Sequence, residues 1–243
     1  MRESVRILGV RVDALTYADL LERMAEFIAG GKPHQIATVN PEFVMEAQRN
    51  ESFRAVLEQA DLCIADGVGL LWAARRQGQR LPERVTGSDA LPRIAERAAQ
   101  TGWRLYLLGA GPGVAEQAGR ILQARYPGVI ISGAYAGSPA DAEAAEIIAR
   151  IRAARPDVLF VAYGAPQQDL WIAKHKATLG VPVMMGVGGA FDHLTGVRRR
   201  APAWVQRLNL EWLFRLLTQP WRWRRQLALP RFVWAVWREQ MTR

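Results

Sequence analysis

Asp66 is the residue around which this chain's chemistry can be organised. It stands in Asp61-Leu-Cys-Ile-Ala-Asp66-Gly67-Val-Gly69-Leu-Leu71, where a short apolar run ends in a carboxylate, two glycines follow and a helical pattern begins. A carboxylate leaving the C-terminal end of a buried parallel strand, beside backbone that a ligand can approach closely, sits where open α/β sheets place their sites. General-base catalysis is the chemistry that placement suggests. The competing reading is local: aspartate is favoured at helix starts, and Asp66 would then only cap a helix over residues 68–77. Other polar groups close other apolar runs: Thr38 and Asn40, then Gln167, Gln168 and Asp169, then Gly188 and Gly189 followed by Asp192. Each alone is a turn or cap residue, but on one rim they would make a binding site. Arg84, in Glu83-Arg-Val-Thr-Gly-Ser-Asp89, would bring positive charge to that rim, and a solvated surface arginine is the alternative.

Gly109-Ala-Gly111-Pro-Gly113 follows a strand-like run and precedes a helical one, so Gly109 and Gly111 are candidates for a phosphate cradle, with an ordinary tight turn as the equal alternative. The spacing is not the dinucleotide fingerprint, and no acidic residue ends the next strand to hold a ribose, which argues against NAD. His34, His175 and His193 share no ligand spacing and the only cysteine is Cys63, so no metal site is expected. Nor does the chain carry an Asp-x-Asp pair for a divalent cation or a G-x-S-x-G elbow for a hydrolase. No cofactor follows from these motifs.

The elements that must position these groups alternate. Strand-like runs fall at residues 5–12 (interrupted by Gly9), 35–39, 62–65, 104–108, 129–132, 158–163 and 181–187. Helical spacing marks 16–28, a segment after Asn40-Pro41, 68–77, 88–100 with Ser88 or Asp89 as cap, 114–124, 141–154 and 167–176. Residues 81–87 read as a loop. Strands alternating with helices of this length imply an α/β fold, a mainly parallel sheet with helices on both faces, whose right-handed crossovers put the post-strand loops on one edge.

With 243 residues, half of them hydrophobic, the chain can fill a sizeable core. The lone Cys63 excludes an internal disulfide framework and fits the cytoplasm. No signal peptide is visible near Met1, and no run approaches the roughly 20 apolar residues of a spanning helix. The net charge is +9, and all of the excess lies beyond residue 197, where eleven arginines face only Glu211 and Glu239. Six of the nine tryptophans are there too: Trp204, Trp212, Trp221, Trp223, Trp234 and Trp237. A neutral body with a basic, tryptophan-rich tail suits a surface that is anionic outside and apolar beneath, such as a phospholipid leaflet. Nucleic acid is the competing partner for such a charge, and a non-catalytic module binding RNA or anionic lipid is the rival class to an enzyme. Within the tail, Trp204, Leu208, Trp212 and Leu216 recur every four residues, with Arg207, Glu211 and Arg215 on a polar stripe, which predicts an amphipathic helix over 204–217. Such a helix either docks on the body or touches a membrane.

Six segments together carry a resemblance that covers nearly the whole chain in order. They are Thr38-Val-Asn40-Pro-Glu, Ala65-Asp66-Gly67-Val-Gly69, Glu83-Arg84-Val-Thr-Gly87-Ser-Asp89, Gly164-Ala-Pro166-Gln-Gln168-Asp169, Gly186-Val-Gly-Gly-Ala-Phe-Asp192, and Arg200-Ala-Pro202-Ala-Trp204 with Leu210-Glu211-Trp212. The chain resembles the WecG/TagA/CpsF family of glycosyltransferases. That resemblance implies a Rossmann-like catalytic domain, here residues 1–197, with a helical, basic, tryptophan-rich appendage over 198–243 that docks on the cytoplasmic leaflet and closes the site. It implies a UDP-sugar donor, a polyprenyl-diphosphate-linked acceptor sugar and inversion at the anomeric carbon without an essential metal. The family adds the second sugar in teichoic acid, common-antigen and exopolysaccharide assembly, so no nucleic acid partner is expected, and the oligomeric state stays open. By position, Asp66 matches the family's general base, Thr38 and Asn40 its neighbours at the sugar, and Arg84 and Gln168 further active-site groups. Arg84 and the tail's Arg215, Arg222 and Arg225 are the candidates to stabilise departing UDP. Where the family usually has Glu after the glutamine, this chain has Asp169, one methylene shorter.

Overall fold

The structure, a computed structural model, describes residues 3–198, 201–202, 204–205, 211–218, 223 and 227–241. The run expected as a single strand over 5–12 is instead a hairpin. Strands β1 (Ser4–Ile7) and β2 (Val10–Asp13) pair antiparallel with Ser4 opposite Asp13, apart from the main sheet. The turn between them holds Leu8 and Gly9 at φ 48° and 81°, the doubly left-handed geometry of a two-residue hairpin loop.

Beyond it, strands alternate with helices: α1 (Tyr17–Gly30), β3 (His34–Val39), α2 (Pro41–Ala47), α3 (Glu51–Gln59), β4 (Leu62–Ala65), α4 (Val68–Arg76), α5 (Gly87–Thr101), β5 (Arg104–Gly109), α6 (Val114–Arg125), β6 (Ile130–Tyr135), α7 (Asp141–Ala154), β7 (Val158–Ala162), α8 (Gln167–Leu179), β8 (Val183–Gly186) and α9 (Ala190–Thr195). Local chemistry sets their ends. Thr16 caps α1 in a reciprocal box with Asp19, and Gly31 closes it in the left-handed conformation. The helical segment after Asn40 splits in two because Asn50 caps a second helix. The cap of α5 is Thr86 rather than Ser88 or Asp89: its hydroxyl accepts from the Asp89 N–H, so the helix starts at Gly87, one residue earlier than its apolar spacing suggests.

All strand pairs of the main sheet are parallel, in the order β4-β3-β8-β7-β5-β6. Alternate residues face opposite sides, as the pleat requires. Ile36, Leu62, Leu105, Val158 and Met185 join α1, α5, α6 and α9 in one core. On the other face, Ala37 and Cys63 pack with the hairpin, α2, α3 and α4, while Tyr106, Leu159 and Met184 pack with α7 and α8. The fold is thus an α/β, Rossmann-like sheet covered on both faces.

From residue 198 onward, the described residues include helices α10 (Glu211–Thr218) and α11 (Ala228–Met241). The helix expected over 204–217 is helical at residues 204–205 and again from Glu211, with 206–210 outside the described residues. Phe232 and Val236 of α11 are buried in the core cluster shared by α2 and α4, so this part of the tail completes the body. Among the described residues, no helix is long and apolar enough to cross a membrane.

Candidate active site

Because β4, β3, β8 and β7 are consecutive in the sheet, their C-terminal ends stand side by side, and one cavity opens over them. Thr38 and Asn40 reach it from the end of β3, Asp66 from the end of β4, Gln168 from the first turn of α8, which follows β7, and Gly188 and Gly189 from the loop after β8. Arg84 lines it as well, carried by a segment that runs beside β4 through the Val85 N–H to Ala65 O bond at 2.9 Å. Residues far apart in sequence therefore meet because parallel strands end on the same edge.

Asp66 is not the cap of α4. The N-cap there is Gly67, which makes no side-chain cap bond, and its φ of 142° with Pro41 Cδ only 3.3 Å from where a Cβ would lie favours glycine at this position. The Asp66 carboxylate instead reaches across to α5, where Oδ2 accepts from the Gly87 N–H at 3.3 Å. The backbone is fixed independently: the Asp66 N–H donates to Val39 O at 2.7 Å. Asp66 is half-buried at the cavity wall, which suits a base that must be both held and accessible.

Its neighbours are positioned as firmly. Thr38 is buried and its hydroxyl donates to Gly186 O at 3.0 Å, tying β3 to β8 below the cavity. Asn40 caps α2, with Oδ1 accepting from the Phe43 N–H at 3.0 Å. Gln168 is only 1% exposed, and its Oε1 accepts from the Gly188 N–H at 2.9 Å, which ties the first turn of α8 to the loop after β8. The Arg84 guanidinium is paired with Glu211 of α10 at 2.9 Å, so a tail helix is fastened to the cavity wall. Asp192, nearly buried, does not itself line the cavity; it holds Arg198, which does, through the arginine Nε at 3.0 Å.

Gly109 and Gly111 are not among the residues that line this cavity. Gly109 ends β5 and Gly111 follows it, and β5 lies outside the group of four strands, next to β7. Gly109 has its own steric reason: a Cβ there would fall 2.8 Å from the Ala162 carbonyl carbon, at a φ of 106°. Arg222 and Arg225 lie outside the described residues, as does the side chain of Arg215.

Several lining residues carried no role in the sequence reading. Glu42 and Trp212 stand inside motifs quoted above, so a signal existed. His193 was weighed only as a metal ligand, and Arg198 only as part of the tail's charge. Thr86 and Ser88 likewise stand inside the quoted Glu83 to Asp89 motif, whereas Leu229 carries no such signal. Asp169 follows Gln168 but turns inward. It is fully buried, and neither carboxyl oxygen has a hydrogen-bond partner among the described residues. Burial pushes its pKa up from 3.8 to about 7.

A polar cavity built at four parallel strand ends, with three carboxylates (Glu42, Asp66 and Glu211) and two arginines (Arg84 and Arg198) at its wall, can activate a hydroxyl and receive a phosphorylated substrate. Comparison with known proteins gives that class a definite form. The model of the WecG/TagA/CpsF glycosyl transferase family matches residues 5–243, and the chain belongs to this family. It is 37% identical to a Bacillus spizizenii protein over 201 residues, 83% of this chain and 77% of the relative. A Bacillus subtilis protein is 34% identical over 205 residues, 84% and 79% of the two chains. A Staphylococcus aureus protein is 34% identical over 234 residues, 96% and 91%. All three relatives bear the name N-acetylglucosaminyldiphosphoundecaprenol N-acetyl-beta-D-mannosaminyltransferase. The chain is therefore a glycosyltransferase by family.

Proposed function

We propose that this protein moves a sugar, N-acetylmannosamine-type or hexose, from a UDP-sugar to a sugar already linked to a polyprenyl diphosphate, in the assembly of a cell-surface polysaccharide or teichoic acid. The observation that carries the reading is the convergence of Thr38, Asp66, Arg84 and Gln168 on one cavity in a member of this family. The acceptor hydroxyl attacks C1 of the donor and gives its proton to Asp66. The C1–O bond to UDP breaks on the opposite side, so the anomeric centre inverts and UDP leaves with the electron pair. Asn40 and Thr38 shape the sugar end, Gln168, Gly188 and Gly189 hold the donor, and Asp192 acts on the donor only through Arg198, which it positions at the wall. Arg84, with tail arginines Arg215, Arg222 and Arg225, meets the charge that develops on the diphosphate.

Residues 198–243 serve in this reading as an appendage that docks the enzyme on the inner face of the cell membrane. In support, Trp204, Trp212, Trp223, Trp234 and Trp237 are exposed, as indoles at a membrane interface are. Each arginine near an anionic leaflet is worth about 1 kcal/mol, so several together hold a protein at the surface. The intact protein should sediment with anionic vesicles and not with zwitterionic ones. Binding to RNA instead, with steep salt dependence, would favour a nucleic-acid module.

The deciding experiment is UDP release from a panel of UDP-sugars, with and without a polyprenyl-diphosphate-linked N-acetylhexosamine acceptor. Release that requires both substrates supports the reading, and its absence across the panel overturns it. In the same assay, Arg84→Ala should lower kcat/KM for the donor by about a hundredfold, the scale set by losing one preorganised group that faces developing negative charge. An unchanged value would remove Arg84 from the donor site. Added chelator should leave the rate as it was, and a loss restored by one divalent metal would count against the metal-free mechanism.

A further inference from the structure

Helix α11 carries two apolar stripes with different fates. Phe232 and Val236 are buried against the body, where Phe232 lies over the α4 glycine Gly69. Leu229, Val233, Trp237 and Met241 also recur every four residues, and side chains so spaced form one continuous ridge. The ridge begins at the active site, because Leu229 lines the cavity. It then runs outward: Val233, Trp237 and Met241 are 48%, 52% and 65% exposed. Twelve residues of helix span about 18 Å. No ionisable group interrupts it, whereas Trp234 on the neighbouring row has the Arg238 guanidinium 4.8 Å from its ring centre. Pro41, Val68 and Trp212 are further apolar residues of the same cavity wall.

A contiguous apolar surface of this size marks a partner. Its shape is long and narrow, and it starts inside a polar cavity, so the fitting ligand has a polar head held at Asp66 and an apolar chain leading away. We propose that the ridge Leu229, Val233, Trp237 and Met241 carries the first isoprenoid units of the acceptor lipid as they leave the cavity. This inference rests on the lipid-linked acceptor of the preceding reading. It makes α11 a determinant of acceptor chain specificity, separate from any hold on the membrane.

The test compares two acceptors with the same sugar and diphosphate, one on a polyprenyl chain and one on a short water-soluble alkyl chain, in detergent solution without vesicles. The variant is Val233→Gln combined with Trp237→Gln, both on the exposed side of a helix anchored elsewhere. We expect kcat/KM on the polyprenyl acceptor to fall by about tenfold or more, as lost apolar contact to a substrate does, while the short acceptor is used as by wild type. Equal losses on both acceptors, or none on either, would overturn the proposal. So would a loss that appears only when the acceptor is presented in vesicles, which would make the ridge a membrane contact, or a wild-type dimer that the variant breaks. A wild-type protein that transfers to neither acceptor would instead remove the functional reading on which the proposal stands.

Discussion

Asp66→Asn should reduce turnover by roughly 10²- to 10⁴-fold, the range expected when a positioned general base is lost, while the donor still binds. The amide is nearly isosteric and can still accept from the Gly87 N–H, so the bond that places the side chain survives. What disappears is the capacity to take a proton from the acceptor hydroxyl. Because that role is confined to the chemical step, kcat should fall while donor affinity, read by calorimetry or fluorescence, stays near wild type. Asp66→Ala would also leave the Gly87 N–H without this acceptor, so the asparagine variant is the cleaner probe. A variant whose turnover stays within a few-fold of wild type would sink the assignment. The carboxylate would then be a positioning group for the start of α5, and the base would have to be sought elsewhere in the cavity, with Glu42 the next carboxylate on its wall.

Much of this site was legible in the sequence because each of its parts is local. An apolar run of four to six residues that stops at Thr38-Val39-Asn40, or at Ala65-Asp66-Gly67, announces a strand end and names its polar group. Strand order is a different kind of fact, fixed by long-range packing. Nothing near Gly109 says that its strand, β5, falls outside the four that end at the cavity. For the same reason the glycine-rich loop and the Asp66 loop looked alike as candidates, although the first answers to a close backbone approach at Ala162. The hairpin was hidden for a third reason: Val5 to Val12 has continuous strand propensity, and only the left-handed pair Leu8 and Gly9 folds it back. The contribution of α10 and α11 was visible as charge and tryptophan content. That Glu211 would fasten to Arg84, or that Leu229 would form part of the wall, depends on where the tail returns to the body.

Asp169 should make the protein less stable as pH rises from about 4 to about 7. Its carboxyl is fully buried, its oxygens lack hydrogen-bond partners among the described residues, and burial holds its pKa at about 7 instead of 3.8. Between those values the native state keeps a proton that the unfolded chain releases, so unfolding gains free energy with each step in pH; above about 7 both states are ionised and the dependence flattens. At about 1.4 kcal/mol per pH unit, the span from 3.8 to about 7 corresponds to roughly 4 kcal/mol as an upper figure, a large part of a typical domain's stability. Asp169→Asn, neutral at every pH, should abolish this slope and be the more stable protein at pH 8, while the two differ little near pH 4. Urea denaturation of both proteins at pH 4.5, 6 and 8 measures the difference directly, after allowance for the slope they share from other groups. Parallel pH profiles would show that Asp169 finds a partner in solution. If the slope vanishes as expected, activity at pH 8 becomes informative as well. Gln168, the preceding residue, is locked to Gly188 at the cavity, and its side chain also acts on this carboxyl, lowering its pKa against the effect of burial; unchanged kcat and KM in Asp169→Asn would show that the Gly188 bond alone steadies the glutamine.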